Sequence, residues 1–196
     1  MYRLIEKKEI KAAAKLMADA FLDYPLYQVL FPNEKKMKKG IYYFCWYRIY
    51  ARREYTRVSP DFTKLFSLKT PNDKEKKSFG LLFNPKFFFG ILSSLSCFSL
   101  KRLKEFSQLE EKYQSQFYDP SKDNYLQVIC IDKHARSGID EVTNLLKEVG
   151  TFLGGRNTYF ETHTKLHEKL YKLFGAQTLA KEDFHGCSHI VMKMLN

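Results

Sequence analysis

The sequence predicts an α/β (α+β) fold, and three observations in its last third predict it. Residues 125–131 (YLQVICI) form a nearly unbroken apolar, β-branched run, the pattern of a strand covered on both faces. Ile139, Val142, Leu145, Leu146, Val149, Phe152 and Leu153 then recur at the 3.6-residue spacing of a helix. Residues 158–162, 165–174 and 188–195 follow as strand, helix and strand, completing the alternation that builds a sheet flanked by helices.

The earlier elements are legible in the same way. Residues 2–5 read as a short strand. Ile10, Ala13, Ala14, Met17, Ala20 and Phe21 make one face of an amphipathic helix. That helix ends before Pro25, because the residue preceding proline is pushed out of the helical region. Residues 23–26 and 30–32 read as turns. A second helix covers residues 34–53, with Met37, Ile41, Phe44, Cys45 and Ile49 on one side. A short strand enters a turn over residues 57–62, residues 65–68 form a strand, and residues 70–78 are a polar loop. Residues 86–117 read as one or two helices ending before Asp119. The polar turn DKHARSG follows the buried strand, and Gly154-Gly155 closes the helix after it by supplying left-handed backbone. Gly175 closes the next helix.

Composition bounds the function classes. The chain has 196 residues, 44% of them hydrophobic, enough for one core without disulfide or metal staples. Its 17 Phe and 13 Tyr exclude a disordered chain. A single domain over residues 1–196 is expected. The start is charged and lacks the apolar core of a secretory leader. Residues 87–100 (FFFGILSSLSCFSL) hold four serines between Lys86 and Lys101, and a membrane span needs about 20 apolar residues. A core or groove helix is expected there, and no membrane partner. Cys45, Cys97, Cys130 and Cys187 show no CxxC spacing and sit among apolar neighbours, as buried free thiols of a cytoplasmic protein do. The net charge of +11 is concentrated in residues 1–60, on Lys35, Lys36, Lys38 and Lys39 and on Arg48, Arg52, Arg53 and Arg57. Such a face either attracts phosphates or is the solvated side of two helices. No nucleic-acid-reading motif accompanies it.

The junction after residues 125–131 is the place to look for a ligand. A buried strand, a glycine-containing turn and a helix N-terminus aim free N–H groups outward, which suits a phosphate or pyrophosphate. Three stretches in order resemble the GCN5-related N-acetyltransferase (GNAT) superfamily. AAAKLMADAFLDYPLYQVLFP is similar to the family's "A…AF..DPL…LFP". YLQVICIDKHARSGIDEVTNLL is similar to "YL..L.VdPe.rGkGiG..Ll". YFETHTKLHEKLYKLFGA is similar to "yLeTs…N..lYek.GF". The match runs nearly the full length.

The resemblance implies a mixed, twisted sheet splayed around a V-shaped opening that holds acetyl-CoA as cosubstrate. It implies direct attack by an amine of a small molecule or protein, with no acyl-enzyme and no metal, in a monomer or homodimer. The pantetheine arm would pair with the strand at Ile129, Cys130 and Ile131. The pyrophosphate would rest on the turn of Arg136, Ser137, Gly138, Ile139 and Asp140. Tyr171 matches the family tyrosine that protonates the leaving thiolate. His167 stands where the family has Asn, and Ala176 where it has an aromatic.

The loop itself departs from the family's Arg/Gln-x-x-Gly-x-Gly/Ala. Counted from Arg136, the glycine positions fall on Ile139 and Glu141; in a register one residue shorter, Gly138 matches and Asp140 takes the last glycine's place. In either register a carboxylate enters the turn, and beside a pyrophosphate at about 5 Å it would cost roughly 3 kcal/mol. Asp140 as a helix N-cap turned outward would avoid that contact. The alternative is a catalytically silent domain of this fold that binds a metabolite or protein partner.

Three carboxylates compete as general base: Glu161 at its strand end, Glu54 and Asp23. Tyr24, Tyr27, Tyr42, Tyr43, Trp46 and Tyr47 are either acceptor-pocket wall or core. His163/His167 and His185/His189 have i, i+4 spacing without a supporting acidic motif, and surface positions are expected for them.

Overall fold

The computed structural model describes residues 1–73, 84–94, 97–135 and 139–195. In chain order its elements are β1 (Arg3–Leu4), α1 (Ile10–Ala20), α2 (Pro25–Leu30), α3 (Glu34–Arg52), β2 (Thr56–Val58), β3 (Lys64–Lys69), α4 (Pro85–Ser94), α5 (Leu100–Phe117), β4 (Asn124–Ile131), α6 (Ile139–Gly150), β5 (Thr158–Thr162), α7 (Lys165–Leu173), β6 (Ala176–Phe184) and β7 (Cys187–Met194). Among the described residues the strands form one seven-stranded sheet in the order β1-β2-β3-β4-β5-β7-β6. The β4–β5 pair is parallel and every other pair antiparallel. This is the mixed, helix-flanked sheet expected from the sequence.

Two apolar layers cover the sheet. On one face, Ile10, Ala13, Ala14 and Met17 of α1 and Ile41, Cys45 and Ile49 of α3 pack with Phe106, Tyr125, Val128 and Tyr159. On the other face, Leu145, Leu146 and Val149 of α6 and Leu170 and Tyr171 of α7 pack with Phe66, Leu126 and Phe160. The four cysteines are buried, and none forms a disulfide among the described residues. Among the described residues no helix is long and apolar enough to cross a membrane.

The structure departs from the sequence expectation in three places. Residues 25–30 are helical, not the body of a turn: Pro25 occupies the first turn of α2, where a missing N–H and a fixed φ are no handicap. The helix predicted to run through Leu153 ends at Gly150, and the chain continues in tight i→i+3 turns to Leu153. Gly154 and Gly155 do adopt positive φ, one turn later than expected. The strand β6 went unread. It is an edge strand whose Lys181, Glu182 and Asp183 are exposed, and charged edges blunt further pairing while erasing the apolar alternation. Residues 86–117 hold two helices, α4 and α5, within the expectation of one or two; residues 95 and 96 lie outside the described residues, as do 74–78 of the predicted polar loop.

One irregularity in β4 positions everything that follows. Pairing with β3 steps from Ser67↔Val128 to Leu68↔Leu126, so Gln127 is an extra, bulged residue. The bulge inverts the alternation. Tyr125, Val128 and Cys130 face the layer of α1, α3 and α5, whereas Leu126, Ile129 and Ile131 face that of α6 and α7. Pairing between β4 and β5 stops at Leu126↔Phe160, and β4 runs on to Ile131 with β3 alone.

Candidate active site

Where β4 and β5 part, a cavity of about 640 Å³ passes through the sheet. Its walls come from both faces: Ile129, Ile131, Leu145 and Tyr171 on one side, Tyr27, Arg48, Phe106 and Glu110 on the other. Residues from opposite layers share one space because the sheet between them is open.

The structure brings Ile129, Cys130, Ile131, His167 and Tyr171 to this cavity, although they came from separate stretches of sequence. Tyr171 is buried, its ring edge-on to Phe160 at 4.9 Å. Burial, then the neighbouring Tyr24, raises its pKa, so the phenol keeps its proton. His167 stacks on Tyr24 with ring centroids 6.0 Å apart, and its backbone N–H donates to the capping hydroxyl of Thr164 at 3.1 Å.

Arg136, Ser137 and Gly138 lie outside the described residues. Ile139 is the first residue of α6 and Asp140 the second. Asp140 is therefore inside the helix and is not its N-cap; its side chain is exposed in the first turn, where a negative charge suits the helix dipole. Glu141 is held at 2.7 Å by Lys64 of β3, which neutralises one of the two acids beside the turn.

The general base candidates separate clearly. Glu54 is paired with Arg53 at 3.0 Å, and Asp23 lines the cavity. Glu161 also lines the cavity with its side chain only 6% exposed, and accepts a hydrogen bond from the Tyr159 hydroxyl at 2.6 Å. Burial, with Glu110 adding like-charge repulsion, raises its pKa to about 8.

His163 and His189 overturn the surface expectation, whereas His185 is exposed as expected. His163 and His189 are both buried, and Nε2 of His163 is 3.1 Å from Nδ1 of His189. The Tyr24 hydroxyl accepts from the His163 backbone N–H at 2.9 Å and lies 3.3 Å from its Nδ1. Nε2 of His189 is buried without a hydrogen-bond partner among the described residues, 3.9 Å from Oε2 of Glu161. Burial lowers the His189 pKa to about 4 and drives that of His163 well below its ordinary value, so both rings are neutral. Among the described residues no group of three or more His, Cys, Asp or Glu converges as a metal site.

Arg48 and Glu110 also belong to this cavity, and Arg48 corrects a second expectation. The lysines at 35, 36, 38 and 39 are exposed on α3, but Arg48 is turned inward and only partly accessible. The aromatic set divides similarly. Tyr24 and Tyr27 are cavity wall, Tyr43 and Trp46 pack on Phe87, and Tyr47 is exposed. Arg48, Glu110, His163 and His189 carried a weak signal in the sequence: polar residues at core-facing positions of otherwise apolar elements.

No family model matches the chain, and no curated protein matches it in sequence. Solved structures do match. A structure described as histone acetyltransferase HPA2 and related acetyltransferase from Corynebacterium glutamicum superposes with a TM-score of 0.65 at 13% identity, covering 100% of this chain and 95% of that one. The C-terminal condensation domain of Ebony in complex with β-alanyl-dopamine gives 0.63 at 11% identity, covering 98% and 97%. The PaiA N-acetyltransferase from Thermoplasma acidophilum in complex with coenzyme A gives 0.54 at 8% identity, covering 100% and 98%. The parted β4 and β5 and the end-to-end superpositions agree: this chain has the fold of the GCN5-related N-acetyltransferases.

Proposed function

We propose that the protein is an N-acetyltransferase that moves an acetyl group from acetyl-CoA to an amine. The observation that carries this reading is the break between β4 and β5, where one cavity joins Tyr171 on one face of the sheet to Glu161 on the other. The residues present fit the cosubstrate. Past Leu126, β4 has β3 on one side and the cavity on the other, so residues 127–131 offer a strand edge to which an amide-bearing arm can add. The Lys64–Glu141 pair and the solvent-facing Asp140 ease the charge problem at the start of α6.

Acetyl-CoA, when bound, supplies an acetyl group activated as a thioester, which an amine attacks directly. The chain's own groups supply position and protons. Glu161 in its ionised form takes a proton from the amine, and its raised pKa makes it a competent base near neutral pH. Tyr24, His163 and His189 form a line ending 3.9 Å from Glu161, along which a proton taken up at Tyr24 can pass to that carboxylate. Tyr171 holds a proton on its phenolic oxygen at the opposite wall, ready to be donated.

Calorimetric titration with acetyl-CoA and CoA, followed by a thiol-release assay across an amine panel, tests the reading. Binding with amine-dependent release is the expected result. Binding without release for any amine would favour the catalytically silent alternative. No binding at millimolar acetyl-CoA overturns the proposal and leaves only the fold.

A further inference from the structure

One end of the cavity holds a basic and an acidic side chain that do not satisfy each other. Arg48 of α3 and Glu110 of α5 both line it. The Arg48 guanidinium lies over the Phe44 ring, 5.5 Å from its centroid, and its Nε is buried with no hydrogen-bond partner among the described residues. Nη1 of Arg52 is likewise buried with no hydrogen-bond partner among the described residues. Glu110 is close enough to feel both arginines, yet among the described residues neither an ion pair nor a hydrogen bond joins it to either. Gln127, the bulged residue of β4, adds a buried Oε1 with no partner to the same wall. An unpartnered desolvated guanidinium is costly, and burial pushes the Glu110 carboxyl up toward its neutral form; a ligand that pairs with both relieves both.

We propose that the acceptor is an amine that also bears a carboxylate, an amino acid or a compound of that class. Its carboxylate is taken by the Arg48 guanidinium, and its amine faces Glu110 and Glu161. A plain amine would leave Arg48 unpaired. A plain carboxylate would leave Glu110 unpaired and bring no nucleophile. Tyr27, Phe106 and Tyr125 supply apolar wall for the rest of the molecule. This inference rests on the reading of the cavity as the acceptor site of a transferase, but its binding arm does not depend on turnover.

The test uses matched pairs that differ by the carboxylate: L-phenylalanine with phenethylamine, and L-lysine with cadaverine. Each is titrated calorimetrically into the full chain, with and without saturating CoA, and offered as acceptor with acetyl-CoA. In at least one pair the carboxylate-bearing member is expected to bind about ten-fold tighter or more, as a charge-assisted contact predicts, and to show a kcat/KM higher by a similar factor. Arg48→Met should bring the ratio near one and Arg48→Lys should keep part of it. Equal or weaker binding of the carboxylate-bearing member in every pair overturns the inference, and so does failure of all four compounds to bind a chain that does bind acetyl-CoA. Should acetyl-CoA fail to bind while the carboxylate preference persists in the wild type, the transferase reading falls and this site stands. The wild-type comparison decides the matter even where an Arg48 variant does not fold.

Discussion

His163 and His189 meet nitrogen to nitrogen at 3.1 Å, one just past the end of β5 and the other within β7, in contact with Phe106. Two neutral imidazoles at that distance share a single N–H, so one donates and the other accepts. When the Tyr24 hydroxyl donates to Nδ1 of His163, His163 donates to His189 and the remaining N–H of His189 points toward Glu161. The pair connects a cavity-lining phenol to a cavity-lining carboxylate through the interior.

Neutral burial of His189 has a consequence for stability. Its pKa falls from 6.5 unfolded to about 4 folded, so as pH drops the unfolded chain binds the proton first. The stability tied to that neutral ring is complete above pH 6.5 and is lost as pH falls toward 4, by up to about 3 kcal/mol. Urea unfolding of the wild type and His189→Gln between pH 4.5 and 7.5 should show the wild type losing more stability on acidification. Parallel curves would show that the ring is not held neutral.

Glu161 gives the pH dependence of activity the opposite origin. Its carboxyl must be ionised to take a proton, and burial raises its pKa to about 8. The rate of acetylation should therefore climb with pH through about 8 in the wild type. Glu161→Gln should lower kcat roughly 100-fold and flatten that rise. A rise that persists in the variant would move the base elsewhere.

Tyr171 lies on the wall formed by α7, opposite Glu161. Removing its hydroxyl in Tyr171→Phe keeps the ring packing on Phe160. A fall in kcat of roughly 100-fold is expected, with acetyl-CoA affinity, measured by calorimetry, within about two-fold of wild type. An unchanged kcat would reduce Tyr171 to a packing role.

Gly90 is a packing prediction independent of function. A Cβ at this position of α4 would overlap the Tyr43 ring of α3. Gly90→Ala should cost about 1–3 kcal/mol in chemical unfolding, despite the better helix propensity of alanine. No loss would mean that α4 does not sit against α3 as described.

The legible elements were those whose side chains sort by burial at a regular period. The face of α1, the apolar run of β4 and the stripe of α6 each repeat at a spacing that only one backbone geometry satisfies. β6 lacked that pattern because an edge strand with one polar face need not alternate cleanly. Tyr171, His167 and the strand residues Ile129, Cys130 and Ile131 stand out in the sequence only through resemblance to a family motif, and the structure places them on one cavity. The histidines were misplaced for a definite reason. Local sequence shows that His189 alternates within an apolar strand, but not that a second imidazole waits 3.1 Å away across the sheet.

By itself, the sequence determined the order of the strands and helices other than α2 and β6, the burial of the cysteines and the basic excess of the first third, because these follow from local periodicity and composition. The tertiary structure alone decided the site. The bulge at Gln127 shifts the alternation of β4, pairing with β5 ends at Leu126, and the gap admits Arg48 and Glu110 from one face and Tyr171 from the other. Such a meeting depends on which strands stop pairing and where, and strand register is a property of two segments distant in the chain that neither carries alone.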